Sequence, residues 1–127
     1  MIIGIGTDIL EIKRIGKILN KHDKKFIKRI YGFNEISVIE NKKNNLDHYL
    51  SKRFAAKEAT WKAFNPKRGN GLIFKEIETL NDKNGKPYLF FSGETKSLKF
   101  SIAEFKSSIE NTKPIEIIIK IHSVVFI

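Results

Sequence analysis

The 127-residue chain contains no cysteine, which excludes a disulfide framework, a thiolate nucleophile and any cysteine-ligated zinc or iron–sulfur centre. A metal here has to be held by oxygen or imidazole. Long apolar runs are also missing. The longest, IEIIIKIHSVVFI at the C-terminus, is broken by Glu116, Lys120 and His122 and is too short to span a bilayer as a helix; it reads as a strand, and no membrane association is expected. No G-x-x-x-x-G-K-[ST] stretch is present, so a P-loop is excluded. Gly4-x-Gly6 opens a dinucleotide-binding pattern that fails at its third glycine, where Ile9 stands. The segment MIIGIGTDIL lacks a basic leader and a small-residue cleavage site, and the expected location is cytoplasmic. Internal repeats and low-complexity segments are absent.

Acidic residues are the scarcer charge, 14 Asp and Glu against 24 Lys and Arg, for a net charge of +10. Such a balance points to a polyanionic partner: nucleic acid, a membrane surface or an acidic protein. The joint richness in Lys, Asn, Ile and Phe is also what AT-rich codons produce, so the distribution of charge carries more than its total. Eight basic residues, Lys13, Arg14, Lys17, Lys21, Lys24, Lys25, Lys28 and Arg29, follow one another with only Asp23 to oppose them. A solvated lysine face accounts for part of this cluster.

The length suits a single domain, residues 1–127, able to bury one core without staples. Residues 2–9 read as a buried first strand with Asp8 at or just past its end. From Glu11 the apolar spacing turns helical, with Ile12, Ile15, Ile18 and Leu19 on one face, then Phe26, Ile27 and Ile30, then Ile36 and Ile39. Gly32 and Asn34 are expected to break it. Residues 41–47 read as a polar loop, and Asp47 as the cap of a long helix running through Phe64 until Pro66 stops it. After a loop at 67–71, alternation over 73–80 predicts a strand, Asn84-Gly85 a tight hairpin turn, and YLFF the return strand. Leu98, Ile102, Phe105 and Ile109 recur at helical spacing before a last strand. The order, roughly β-ααα-ββ-α-β, is that of an α+β fold with a small, mostly antiparallel sheet packed against a helical block.

Within RFAAKEATWKAF, residues 53–64, Glu58 and Lys62 border the face that Phe54 and Trp61 share. One reading is an i,i+4 pair, a helix stabiliser worth about 0.2–0.5 kcal/mol. The other is a site, since Ala55, Ala56 and Ala59 allow close approach of a ligand or another backbone. Asp8 admits the same choice, between an N-cap for the helix near Glu11 and a carboxylate that meets Glu58 across a cleft. Two such anions repel unless a hard cation lies between them. Magnesium suits that pair, because it takes one or two carboxylates and completes its shell with water and phosphate. Lys62 is then placed as a point charge on the phosphate.

GIGTDILEIKRI at 4–15, RFAAKEATWKAF at 53–64 and NDKNGKP at 81–87 together resemble the holo-[acyl-carrier-protein] synthase family, small 4′-phosphopantetheinyl transferases of bacterial fatty-acid synthesis. The resemblance spans residues 1 to about 98. It implies that fold, and a magnesium-dependent transfer of 4′-phosphopantetheine from coenzyme A to a serine of acyl carrier protein, releasing adenosine 3′,5′-bisphosphate. By position, Asp8 and Glu58 match the family's magnesium ligands and Lys62 its pyrophosphate lysine. Arg53 matches a basic residue near the 3′-phosphate, and Gly85, Lys86 and Pro87 the hairpin bordering the nucleotide. The serine proton then leaves through Glu58 or through a metal-bound water near Asp8. Arg14, with Lys21 and Lys28, falls on the helix that meets the acidic carrier protein. The family is commonly a homotrimer with sites between subunits. Beyond residue 99 the chain departs from the family pattern, and His122 inside the last strand is not equated with the family's turn residue. An inactive relative that binds coenzyme A or carrier protein, and a basic nucleic-acid-binding module, are the other readings.

Overall fold

The computed structural model describes residues 5–64, 72–97 and 120–126. Strand β1 (Ile5–Glu11) leads directly into helix α1 (Ile12–Ile30), followed by a short helix α2 (Phe33–Ser37), a 3-10 segment (Ile39–Asn45) and the long helix α3 (Leu46–Phe64). A single 3-10 turn (Phe74–Glu76) introduces β2 (Ile77–Asn81), which pairs antiparallel with β3 (Pro87–Phe91). The last described element, β4 (Lys120–Phe126), pairs in parallel with β1, Asp8 opposite Ser123 and Thr7 opposite His122. The arrangement is α+β. Among the described residues antiparallel pairing is confined to the hairpin, and β1 and β4 add a separate parallel pair. No helix among the described residues is long and apolar enough to cross a membrane.

The core follows the apolar spacing of the helices. Leu10, Ile15, Tyr31, Tyr49, Leu50 and Ala55 are buried together, with Leu19, Phe26, Ile27, Ile30, Ile36 and Ile39 packed around them. A smaller cluster of Leu72, Ile77 and Phe91 lies under Phe64 and Leu89. The hairpin forms where Asn84-Gly85 predicts it. Gly85 takes φ +81, and the Asp82 carboxylate accepts from the Asn84 and Lys86 amides at 2.8 and 2.9 Å, which closes the turn.

Several boundaries differ from the sequence reading. Asp8 lies inside β1, and Glu11 occupies the position before α1 without a side-chain cap, so Asp8 is not an N-cap. Asp47 sits in the first turn of α3 rather than ahead of it, where its charge favours the helix dipole. The polar stretch expected as a loop coils into 3-10 turns, whose i to i+3 bonds make them frequent connectors between helices. Helix α1 ends at Tyr31 before Gly32 as expected, but His22, at φ −140 and ψ 23, interrupts it midway. The expected strand over 73–80 begins only at Ile77, because the preceding turn swings the Phe74 carbonyl toward Lys57. The loop at 67–71 and the helix expected from Leu98 fall outside the described residues, apart from neighbouring residues 93–97, which are helical.

Candidate functional site

Two strand residues decide how closely β1 approaches α3. Gly6 lies against the α3 backbone so tightly that a Cβ there would stand 1.6 Å from the Ala59 oxygen and 2.6 Å from the Ala63 nitrogen. Only glycine on the strand permits that contact. Successive side chains of a strand alternate, so Asp8, two residues on, shares the face of Gly6 and looks toward the same helix. There the Asp8 carboxylate accepts from Lys62 Nζ at 2.8 Å, and Lys62 also donates to the Thr7 carbonyl at 3.1 Å.

Glu58 stands one helical turn before Lys62 and is half-buried. Burial, and then the negative charge of Asp8, raise its pKa above the ordinary carboxylate value, while Lys62 and Arg14 pull the other way. Asp8 and Glu58 therefore share one electrostatic neighbourhood. Hydrogen bonding to Asp8 raises the pKa of Lys62. Among the described residues Glu58 has no ion-pair partner, so the expected Glu58–Lys62 helix pair is replaced by the Asp8–Lys62 bridge. Trp61 is exposed; the packed faces of α3 are instead those of its alanines. No three metal-ligating side chains converge among the described residues, but two carboxylate donors on a rigid strand and helix suit magnesium, which keeps most of its shell for water and phosphate.

Arg53, also on α3, faces a different neighbourhood. Its guanidinium lies 4.0 Å from the Tyr49 ring centroid and donates to Asn81 Oδ1 at 2.8 Å, and Asn81 in turn donates to the Gly85 carbonyl at 2.7 Å. Arg53 is thereby tied to the hairpin turn. Among the described residues the Arg53 Nε and the Thr79 hydroxyl are buried without a partner. These residues border an open cleft of about 880 Å3 lined by Tyr49, Lys52, Arg53, Thr79, Gly85 and Tyr88 among others. Gly85 lines the cleft; Lys86 and Pro87 follow it, exposed, outside the lining. Asp8, Glu58 and Lys62 do not line it. One helix thus carries two chemically distinct clusters five residues apart, about 7.5 Å along its axis.

Arg14, Lys21 and Lys28 are exposed on α1. Spaced by seven, they would share a face of an unbroken helix, but the interruption at His22 falls between Lys21 and Lys28. Arg14 is the one whose charge reaches Glu58.

A buried polar centre escaped the sequence reading. Lys57 and Glu35 are fully buried and paired at 2.6 Å. The Lys57 ammonium also donates to the Phe74 and Ile77 carbonyls. Glu35 accepts from the Gly32 and Thr79 amides at 3.1 and 2.9 Å, and Glu78 accepts from the Glu35 amide at 3.0 Å. Burial lowers the pKa of Lys57 against the opposing pull of Glu35. This centre fastens α2, α3 and β2 together at the residue just before Glu58.

Residues 4–118 match the family model of the 4′-phosphopantetheinyl transferase superfamily, well past the point near residue 99 where the motif resemblance stops. The holo-[acyl-carrier-protein] synthase of Wigglesworthia glossinidia brevipalpis is 46% identical over 101 residues, 76% of this chain and 73% of that protein. A crystal structure of holo-ACP-synthase from Plasmodium yoelii superposes with a TM-score of 0.70 at 41% identity, covering 81% of this chain and 78% of that one. A holo-(acyl-carrier-protein) synthase from Bacillus anthracis in complex with CoA (3′,5′-ADP) gives 0.63 at 44% identity over 73% and 78% of the two chains.

Proposed function

The chain belongs to the 4′-phosphopantetheinyl transferase superfamily, and on that premise we propose that it acts as a holo-[acyl-carrier-protein] synthase. In this reading it moves 4′-phosphopantetheine from coenzyme A to a serine of apo acyl carrier protein and releases adenosine 3′,5′-bisphosphate. The observation that carries the proposal is the convergence of Asp8, Glu58 and Lys62 from opposite elements. A nucleic-acid-binding use of the basic helix gives these three residues no task.

Asp8 and Glu58 would hold magnesium, which when bound neutralises the pyrophosphate and stabilises the departing bisphosphate. Lys62 adds a mobile positive charge one turn from Glu58, within reach of a phosphate on the same face. The attacking hydroxyl belongs to the carrier protein. A carboxylate has two oxygens, so Glu58 can serve a cation with one and accept the serine proton with the other. Arg53 and the Gly85–Lys86–Pro87 turn would receive the nucleotide end; the 3′,5′-ADP named for the Bacillus anthracis relative, and the place of Arg53 and Gly85 in the lining of the cleft, support that role. Arg14, Lys21 and Lys28 would steer the acidic carrier protein, with Arg14 nearest the reacting groups.

The metal-side and nucleotide-side clusters face apart on one chain, and Ile9, Trp61, Tyr88 and Phe90 beside them are exposed. Both features support a homotrimer that completes each site between subunits; a single domain per chain and a cytoplasmic location complete the proposed reading. Replacing Glu58 by Gln, which keeps the size and removes the charge, is expected to lower transfer by at least about 100-fold with an unchanged circular dichroism spectrum. Full activity in E58Q refutes the assignment.

A further inference from the structure

We infer that Lys62 and a divalent cation compete for the same Asp8 carboxylate, so that loading the metal dislodges the Lys62 ammonium and frees it for the phosphate. The inference rests on the proposed Asp8–Glu58 metal site and adds to it an order of events.

Lys62 holds Asp8 Oδ1 at 2.8 Å and the Thr7 carbonyl at 3.1 Å. Both acceptors are oxygens of one strand, the donor type that a hard cation selects. The two partners differ in freedom. The Asp8 side chain is 13% exposed and fixed in β1, whereas that of Lys62 is 49% exposed on a flexible stem. The anion stays and the ammonium can leave. A half-exposed lysine–carboxylate pair is worth only a few-fold in an equilibrium constant, and a doubly charged ion at equal distance attracts Asp8 twice as strongly.

One lysine also leaves the acid pair incompletely neutralised. Glu58 has no ion-pair partner among the described residues, and the nearby Lys62 ammonium is bonded to Asp8 instead. A divalent cation answers both carboxylates at once. While bound to Asp8, the ammonium has spent two of its three donors on the strand. Exchange would return them one turn from Glu58, where a pyrophosphate held at that pair needs a counter-charge. Metal and phosphate binding would thus reinforce each other through one side chain, and by linkage each raises the affinity for the other.

The test is a magnesium chloride titration of the full-length protein labelled with 15N and 13C, at constant ionic strength so that screening alone does not loosen the bridge. Backbone amides of Thr7, Asp8 and Ile9 report metal arrival. The Lys62 Nζ shift, read through the non-exchanging Hε protons and assigned with K62M, reports the lysine. The expected result is that both move with one midpoint, and that the midpoint in K62M falls by about 2–5-fold. If the amides move while Nζ does not, or the K62M midpoint is unchanged, the inference falls and the metal site stands. If neither moves at concentrations that support transfer, the metal site falls and takes the inference with it.

Discussion

Glu58 is a carboxylate that the fold holds against its preference. Partial burial and the Asp8 charge raise its pKa above the ordinary value, so the folded chain binds that proton more tightly than the unfolded chain does. Below the ordinary carboxylate pKa both states are protonated and Glu58 contributes no penalty. As pH rises through the raised value, the folded state must ionise a disfavoured group and stability declines. In magnesium-free buffer, E58Q is therefore expected to melt above the parent protein at neutral pH, with the gap closing as the pH falls through the ordinary carboxylate range. Thermal scans across pH check this, and an E58Q variant less stable at neutral pH would contradict it. Each of the three residues had an ordinary reading in the sequence, an i,i+4 pair for Glu58 and Lys62 and an N-cap for Asp8, and it was the motif resemblance that grouped them; the fold brings Asp8 to Lys62 and its charge to Glu58. The buried Lys57–Glu35 pair was not legible in the sequence. A lysine next to Glu58 reads as solvated, since charged residues are almost never buried unless paired, and its partner lies 22 positions away with no local signal.

The contact between β1 and α3 sets the spacing on which that chemistry depends. Gly6 admits no side chain against Ala59 and Ala63, so Gly6→Ala should force the strand outward and cost roughly 1–3 kcal/mol or more. Gly16, inside α1, has open space where a methyl group would stand, and Gly16→Ala should stabilise by about 0.5–1 kcal/mol. Denaturant midpoints of the two variants should move in opposite directions; a neutral Gly6→Ala would deny the close approach. The hairpin was readable because Asn84-Gly85 specifies its own turn, and Gly85 takes the positive φ that the turn requires. The start of β2 was not, because the Phe74 and Ile77 carbonyls answer to Lys57 on a distant helix and alternation over 73–80 contains no trace of that demand. The break at His22 likewise has neither glycine nor proline to announce it.

Among the described residues basic charge is concentrated on one element. Exposed lysines and arginines crowd α1, and Arg14 is the one that also acts on Glu58. In the proposed reading a carrier protein docked there would be held by long-range attraction, which salt screens. Arg14→Glu is accordingly expected to raise KM for acyl carrier protein by about 10-fold or more while leaving KM for coenzyme A within about 2-fold. Added potassium chloride should reproduce the first effect in the parent protein. Equal changes in both constants would place Arg14 in the nucleotide site instead. The transfer itself is tested most directly by the intact mass of apo acyl carrier protein after incubation with this protein, coenzyme A and magnesium, with and without a chelator. A gain of one phosphopantetheine arm that the chelator abolishes is expected. A folded protein that leaves the carrier mass unchanged in the presence of magnesium would contradict it.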